Sequence, residues 1–168
     1  MIKLDSREII SNFGIYLLLP VLALLHFIVI FYPSNTTVFD EYYYVPASRD
    51  LLNLTASNIE HPFFGKIWGA LGIALFGNNF FGWRFFYVLI GLGSVYVFYR
   101  LSKRFLSNEY SLLASSFLGF ENIFFMHTSL LLLEGPCILF ALLSFHYYFG
   151  KRYYFSALFM GLSILSKE

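Results

Sequence analysis

Apolar positions in this chain come in long unbroken runs, separated by short clusters that hold nearly all of the charge. Residues 13–32, FGIYLLLPVLALLHFIVIFY, are 20 consecutive positions without a formal charge. At 1.5 Å per residue they are long enough to cross a hydrocarbon core of about 30 Å as a helix. The run is too long for the core of a signal peptide, and no small-x-small cleavage site follows it, so it is expected to remain as an anchor. Later runs predict spans at about 83–99, 110–127 and 130–149. A fifth run starts at Tyr153 and covers only 14 positions to residue 166, or about 21 Å of helix. Residues 1–168 therefore read as the N-terminal part of a larger transmembrane domain, cut short in its last span, or as a shortened copy of one. Between the first two spans, IWGALGIALF (67–76) is apolar but only 10 residues long. It predicts a short helix that lies in the interface or dips into it, within an external, membrane-hugging loop over 33–82. The fold class is all-α integral membrane: a polytopic helix bundle of about four to five spans, with short juxtamembrane helices in the external loop.

Composition agrees with this pattern. Hydrophobic residues make up 58% of the chain and charged residues 12%, against roughly 25% charged in soluble domains. The net charge of +1 offers no basic field, so nucleic acid is excluded as a partner. The single cysteine, Cys137, rules out an intrachain disulfide and a cysteine-rich metal site. Charge distribution sets the orientation. With a cytoplasmic N-terminus, Lys3, Arg7, Arg100, Lys103, Arg104, Lys151 and Arg152 lie inside, seven of the 11 basic residues. Most carboxylates then face the external or lumenal side. The sequons at Asn35-Thr36-Thr37 and Asn53-Leu54-Thr55 agree with an external loop without proving it.

Ionisable groups at membrane depth are costly and usually mark function. Three stretches carry them: FDEYYYV (39–45), EHPFFGK (60–66) and ENIFFMHTSLLLLEGP (121–136). Asp40 and Glu41 are neighbours, and adjacent helical side chains point about 100° apart, so only one is expected to face a given site. A carboxylate there can act as general base on a hydroxyl, or simply match a helix dipole. Tyr42, Tyr43 and Tyr44 fit an interfacial aromatic belt better than sugar-stacking platforms. Glu60 and His61 offer two ligands to a divalent metal ion, and Lys66 can neutralise a phosphate; the alternative is a loop end before a helix. Glu134 sits about a turn into an apolar run and needs a partner or a polar cavity, unless it snorkels at a helix mouth. Glu121 is similar, whereas His26, His127 and His146 read as packing or interface residues.

Taken in order, these stretches resemble the dolichyl-phosphate-mannose protein mannosyltransferases, polytopic glycosyltransferases of the GT-C class. The family's Asp-Glu pair after the first span is matched by Asp40-Glu41, and its His-Pro-Pro-x-x-Lys motif by EHPFFGK. LGIALFGNNFFGWRF follows, with Gly82, Trp83 and Arg84 leading into the second span. Glu121-Asn122, Thr128-Ser129 and Glu134 stand where the family has an Asp-Asn pair, a Ser-Arg pair and an Asp. The final GLSILSKE places Lys167 at the family's lysine. Phe63 replaces the second proline, and Ser129 stands where an arginine is usual.

The resemblance implies inverting transfer of a sugar, mannose first among candidates, from a polyprenyl or dolichyl phosphate to a hydroxyl of a protein or lipid-linked acceptor on the external or lumenal face. It makes Asp40 and Glu41 the catalytic pair, with His61, Lys66 and Lys167 at the donor phosphate. Glu60, Glu121 and Glu134 would orient substrates or a cation, and Glu60 and Glu134 are the candidate metal ligands. Two other classes of answer stand beside it. One is a carrier with intramembrane carboxylates, which predicts acids near the bilayer midplane. The other is a non-catalytic membrane fragment that binds a partner.

Overall fold

The structure is a computed structural model and describes the backbone of residues 6–31, 36–55 and 57–167, with side chains from residue 13 onward. Lys3, Asp5, Asn35 and Glu168, and the side chains of Arg7 and Glu8, lie outside the described residues. Eight helices follow one another: α1 (Ser6–Ile30), α2 (Glu41–Leu52), α3 (Phe64–Phe76), α4 (Phe80–Ser102), α5 (Asn108–Phe120), α6 (Asn122–Ser129), α7 (Glu134–Phe149) and α8 (Tyr153–Ser166). No strand occurs among the described residues. The all-helical class is as expected, and the short apolar run at 67–76 is the body of α3.

The spans differ from the runs that predicted them. Among the described residues two helices are long and apolar enough to cross a membrane, α1 through Phe13–Ile30 and α4, and α6 with α7 would make a third as one span bent by 111°. The expected span at 110–127 is cut at Glu121, whose extended backbone ends α5 and whose carboxylate caps α6 by accepting from Ile123 N and Phe124 N. The expected span at 130–149 starts four residues late. Leu130, Leu131, Leu132 and Leu133 are almost fully buried but not helical, and α7 begins at Glu134.

Helix α4 is the axis of the bundle, packing against α1, α3, α5, α6 and α7. Water cannot drive helices together in lipid, so close approach relies on small side chains and hydroxyls. The buried positions follow that rule: Gly91 and Ser94 on α4, Ser111 and Ser115 on α5, and Ser144 on α7, which donates to Ser156 O on α8 at 2.8 Å. Conversely, Phe13, Leu17, Leu24 and Ile28 on α1 are exposed, the face expected against lipid tails. His26, by contrast, is buried, hydrogen-bonded to Ser129 Oγ at 2.7 Å and stacked on Phe125, as its packing role predicted. The main core cluster joins Tyr44 and Val45 of α2, Tyr87 of α4 and the four leucines 130–133.

Candidate active site

A buried ion pair assembles the site. Glu41 and Arg84 are both fully buried, and the pair is bidentate: Arg84 Nε donates to Glu41 Oε1 at 2.7 Å and Nη2 to Oε2 at 2.6 Å. Each carboxylate oxygen takes a second donor, Leu131 N on Oε1 at 3.0 Å and Val38 N on Oε2 at 3.1 Å. Arg84 Nη1 donates to Ile30 O at 2.9 Å. Two side chains thus tie together the end of α1, the start of α2, the start of α4 and the segment between α6 and α7. A buried charge pair is tolerable when further hydrogen bonds support it, and here both Glu41 oxygens take a second donor and Arg84 Nη1 finds a carbonyl. With four donors and no exposure, Glu41 has nothing left to offer a substrate. Its place is structural.

Asp40 is turned the other way. It precedes α2, is exposed, and makes no side-chain capping bond. With Phe39, Asn122, Ile123, Met126, His127, Leu132 and Glu134 it lines a cavity of about 280 Å³. On the far wall Glu134 pairs with Lys167, and His127 Nδ1 approaches Glu134 Oε2 at 3.6 Å. Oε2 is buried and has no hydrogen-bond partner, with His127 as its nearest cationic neighbour. An apolar groove of about 330 Å³, lined by Leu25, Ile28, Val29, Phe120 and Phe125, shares Asn122 with this cavity. A neighbouring cavity of about 300 Å³ holds Tyr43, Tyr44, Glu60 and His61 and shares Asp40. Asp40 therefore stands at the junction of two polar pockets.

The tyrosine triplet is split. Tyr42 and Tyr43 are exposed, in keeping with an interfacial belt, while Tyr44 is in the core with its ring edge on His61. Burial, helped by the Asp40 and Glu134 carboxylates, pushes the Tyr44 hydroxyl up to about 12. Tyr44 thus remains neutral.

Lys66 is 2% exposed, and its ammonium donates to Asn58 O and His61 O, the latter at 2.9 Å. Burial lowers its pKa, and Glu60 opposes that shift. It pins the loop that carries Glu60 and His61 rather than reaching into the Asp40 cavity. Glu60 is exposed and accepts from Asn58 Nδ2 at 3.2 Å. Glu121 acts as a helix cap, its carboxyl held below the usual range by Phe124 N–H and Ile123 N–H. Among the described residues no three His, Cys, Asp or Glu side chains group as metal ligands. Glu60 and Glu134 line separate pockets that meet only at Asp40.

A profile of the dolichyl-phosphate-mannose-protein mannosyltransferase family matches residues 60–168. The chain belongs to this family. It is also similar to two Mycobacterium tuberculosis proteins, from strains CDC 1551 / Oshkosh and ATCC 25618 / H37Rv, each named polyprenol-phosphate-mannose--protein mannosyltransferase. Identity is 36% over 78 residues, which is 42% of this chain. The chain spans 15% of the length of these relatives. No solved structure matches it. The mannosyltransferase profile includes Glu60, His61, Lys66, Glu121, Glu134 and Lys167, while Asp40 and Glu41 lie before it.

Within this mannosyltransferase-family chain, the fold brings Asp40, His127 and Glu134 together around one cavity, with Lys167 paired to Glu134 and with Glu60 and His61 next door. Glu41, Lys66 and Glu121 are absorbed into structure. Two residues were under-read in the sequence. His127 lines the cavity instead of packing at a helix end. Arg84 is the hub of the site; in the sequence it stood within the family-like GWRF stretch leading into the second span, with no role assigned to it.

Proposed function

We propose that the chain forms part of an inverting glycosyltransferase site that takes mannose from a polyprenyl-phosphate donor to a hydroxyl of a protein acceptor, on the external or lumenal face of the membrane, with the N-terminus cytoplasmic. The observation that carries the reading is the exposed Asp40, without a capping bond, sharing a cavity with His127 and with Glu134, which pairs with Lys167, next to an apolar groove. The groove suits the prenyl chain and the cavity suits the sugar phosphate, since a lipid-borne donor keeps its phosphate at headgroup depth.

In this reading Asp40 accepts the proton of the acceptor hydroxyl as its oxygen bonds to the sugar anomeric carbon. The bond from that carbon to the phosphate oxygen breaks on the opposite face, inverting the configuration. Polyprenyl phosphate leaves with its electron pair, and its growing negative charge is met by Lys167 and by His127 when protonated. Glu134 holds Lys167 in place. Glu60 and His61, in the pocket on the other side of Asp40, are placed for the acceptor or for a cation.

The test uses membranes containing the chain, labelled polyprenyl-phosphate-mannose and a Ser/Thr-containing acceptor peptide. Loss of a general base costs about 10²–10⁴-fold, and Asp40→Asn is expected to lose transfer by that much while membrane insertion is unchanged. Turnover by Asp40→Asn at the rate of the parent chain would remove Asp40 from the base role.

A further inference from the structure

Two cavities beside Asp40 and the 57–63 loop share a wall. The cavity of about 300 Å³ that Asp40 lines with Tyr43, Tyr44 and Glu60 also touches Asn58 and His61. The same two residues line a further cavity of about 240 Å³, where Leu51, Ile59, Pro62 and Phe63 supply apolar surface and Lys66 lies alongside. Asn58 and His61 therefore stand between a polar chamber at the candidate base and a mostly apolar one beyond it.

Each of them carries a buried polar atom without a hydrogen-bond partner, Asn58 Oδ1 and His61 Nδ1. Such orphans are uncommon and costly. The loop does not depend on these atoms for its shape, because Lys66 holds it through the backbone carbonyls of the same two residues. The Asn58 amide has only one sensible orientation: Nδ2 donates to Glu60 Oε2 at 3.2 Å, a place where Oδ1 would meet a carboxylate. Oδ1 is thus an acceptor in want of an N–H or O–H. A phosphodiester anion has neither. A peptide unit offers both halves of the match, its N–H to Oδ1 and its carbonyl to a protonated Nδ1. The outer side-chain torsions of Asn and His are broad, so a small rotation brings either atom to a ligand in the cavity it borders.

We propose that these two cavities form a subsite for an extended acceptor peptide and select an apolar residue two positions from the one that carries the hydroxyl. Naming the ligand as the acceptor rests on the reading of Asp40 as base. Side chains alternate along an extended backbone, so the second neighbour turns to the same side as the hydroxyl residue. It enters the apolar cavity against Leu51, Ile59, Pro62 and Phe63, while the backbone in between bonds Asn58 and His61.

The full chain is reconstituted in phosphatidylcholine nanodiscs, and dye-labelled peptides with a single threonine are titrated in and followed by fluorescence anisotropy against empty nanodiscs. The peptides carry either leucine or asparagine at both second-neighbour positions. Leucine is expected to bind about tenfold tighter, and Phe63→Asn, at an exposed helix-cap position, to erase the difference. Asn58→Gly suits the left-handed backbone there, φ 51°, and His61→Phe keeps a ring against Tyr44. Each removes one orphan and is expected to weaken the leucine peptide about three- to tenfold. Leu54→Ser, 96% exposed and outside both cavities, is expected to change nothing. No saturable binding by the parent chain, equal affinity for the two peptides, or an equal loss in Leu54→Ser overturns the subsite. Lowered unfolding temperatures for Asn58→Gly and His61→Phe with binding unchanged would make both residues structural and overturn it too. Displacement of the peptide by methyl mannoside would assign the wall to a sugar instead. If Asp40→Asn transfers at the parent rate while the peptide binds as expected, the base assignment falls and the peptide subsite stands. If Asp40→Asn loses transfer while binding is indifferent to Asn58 and His61, the subsite falls and the base stands.

Discussion

Glu41→Gln is the perturbation that separates a structural carboxylate from a catalytic one. Each Glu41 oxygen accepts two hydrogen bonds, Oε1 from Arg84 Nε and Leu131 N, and Oε2 from Arg84 Nη2 and Val38 N. Whichever way a glutamine amide is turned, its NH₂ faces two donors, and Arg84 keeps a buried charge without a counterion. Breaking one side of a buried pair in this way costs about 3–5 kcal/mol. Replacing both partners should cost less than the sum of the single changes, because no charge is stranded. Cys137 is the sole thiol, so thermal unfolding in detergent can be followed by its reaction with a maleimide dye. Glu41→Gln, Arg84→Gln and E41Q/R84Q form the cycle, and Glu60→Gln, at an exposed site with one side-chain bond, is the reference. The expected result is a large drop in unfolding temperature for each single variant and partial recovery in the double. If Glu41→Gln unfolds with the Glu60→Gln reference yet loses transfer, Glu41 works on substrate and the structural assignment is refuted.

Three further outcomes are expected. Lys66→Met leaves the carbonyls of Asn58 and His61 without their donor, at a cost of about 1–3 kcal/mol, and should speed amide hydrogen exchange across residues 57–63; lost donor binding with unchanged exchange would instead make Lys66 a phosphate ligand. The Glu121 carboxyl is held low by α6 N–H groups, so its stabilisation is complete above the unfolded carboxyl pKa and is lost as pH falls through the lowered native value. Glu121→Gln should remove that part of the acid limb in an unfolding-temperature-against-pH series. In Gly72→Ala the new Cβ would lie 1.9 Å from the backbone oxygen of Gly82, forcing α3 from α4 at about 1–3 kcal/mol or more, whereas Gly161→Ala meets nothing within 4 Å and should be neutral or slightly stabilising by the same thermal assay.

Whether a stretch can stand as a membrane helix depends on its own apolar length, since backbone groups in lipid must be satisfied within the segment. α1, α4 and the short α3 were legible for that reason. The interruptions were not. Residues 130–133 continue an apolar run, and nothing local forbids helix there. They leave the helix because Leu131 N finds Glu41, 90 residues earlier, and because the four leucines pack into the core with Tyr44, Val45 and Tyr87.

The same division holds at the site. Sequence alone established that chemistry-bearing groups gather outside the first span of a polytopic membrane chain, and that of two adjacent acids only one should face a site. The tertiary structure decided which one. Arg84, 43 residues from Glu41, draws that carboxylate inward and leaves Asp40 in the cavity. Among the lysines, Lys66 turns onto loop carbonyls and Lys167 onto Glu134. A side chain's type states what chemistry it can do; the partners that claim it, distant in sequence, state whether it is free to do it.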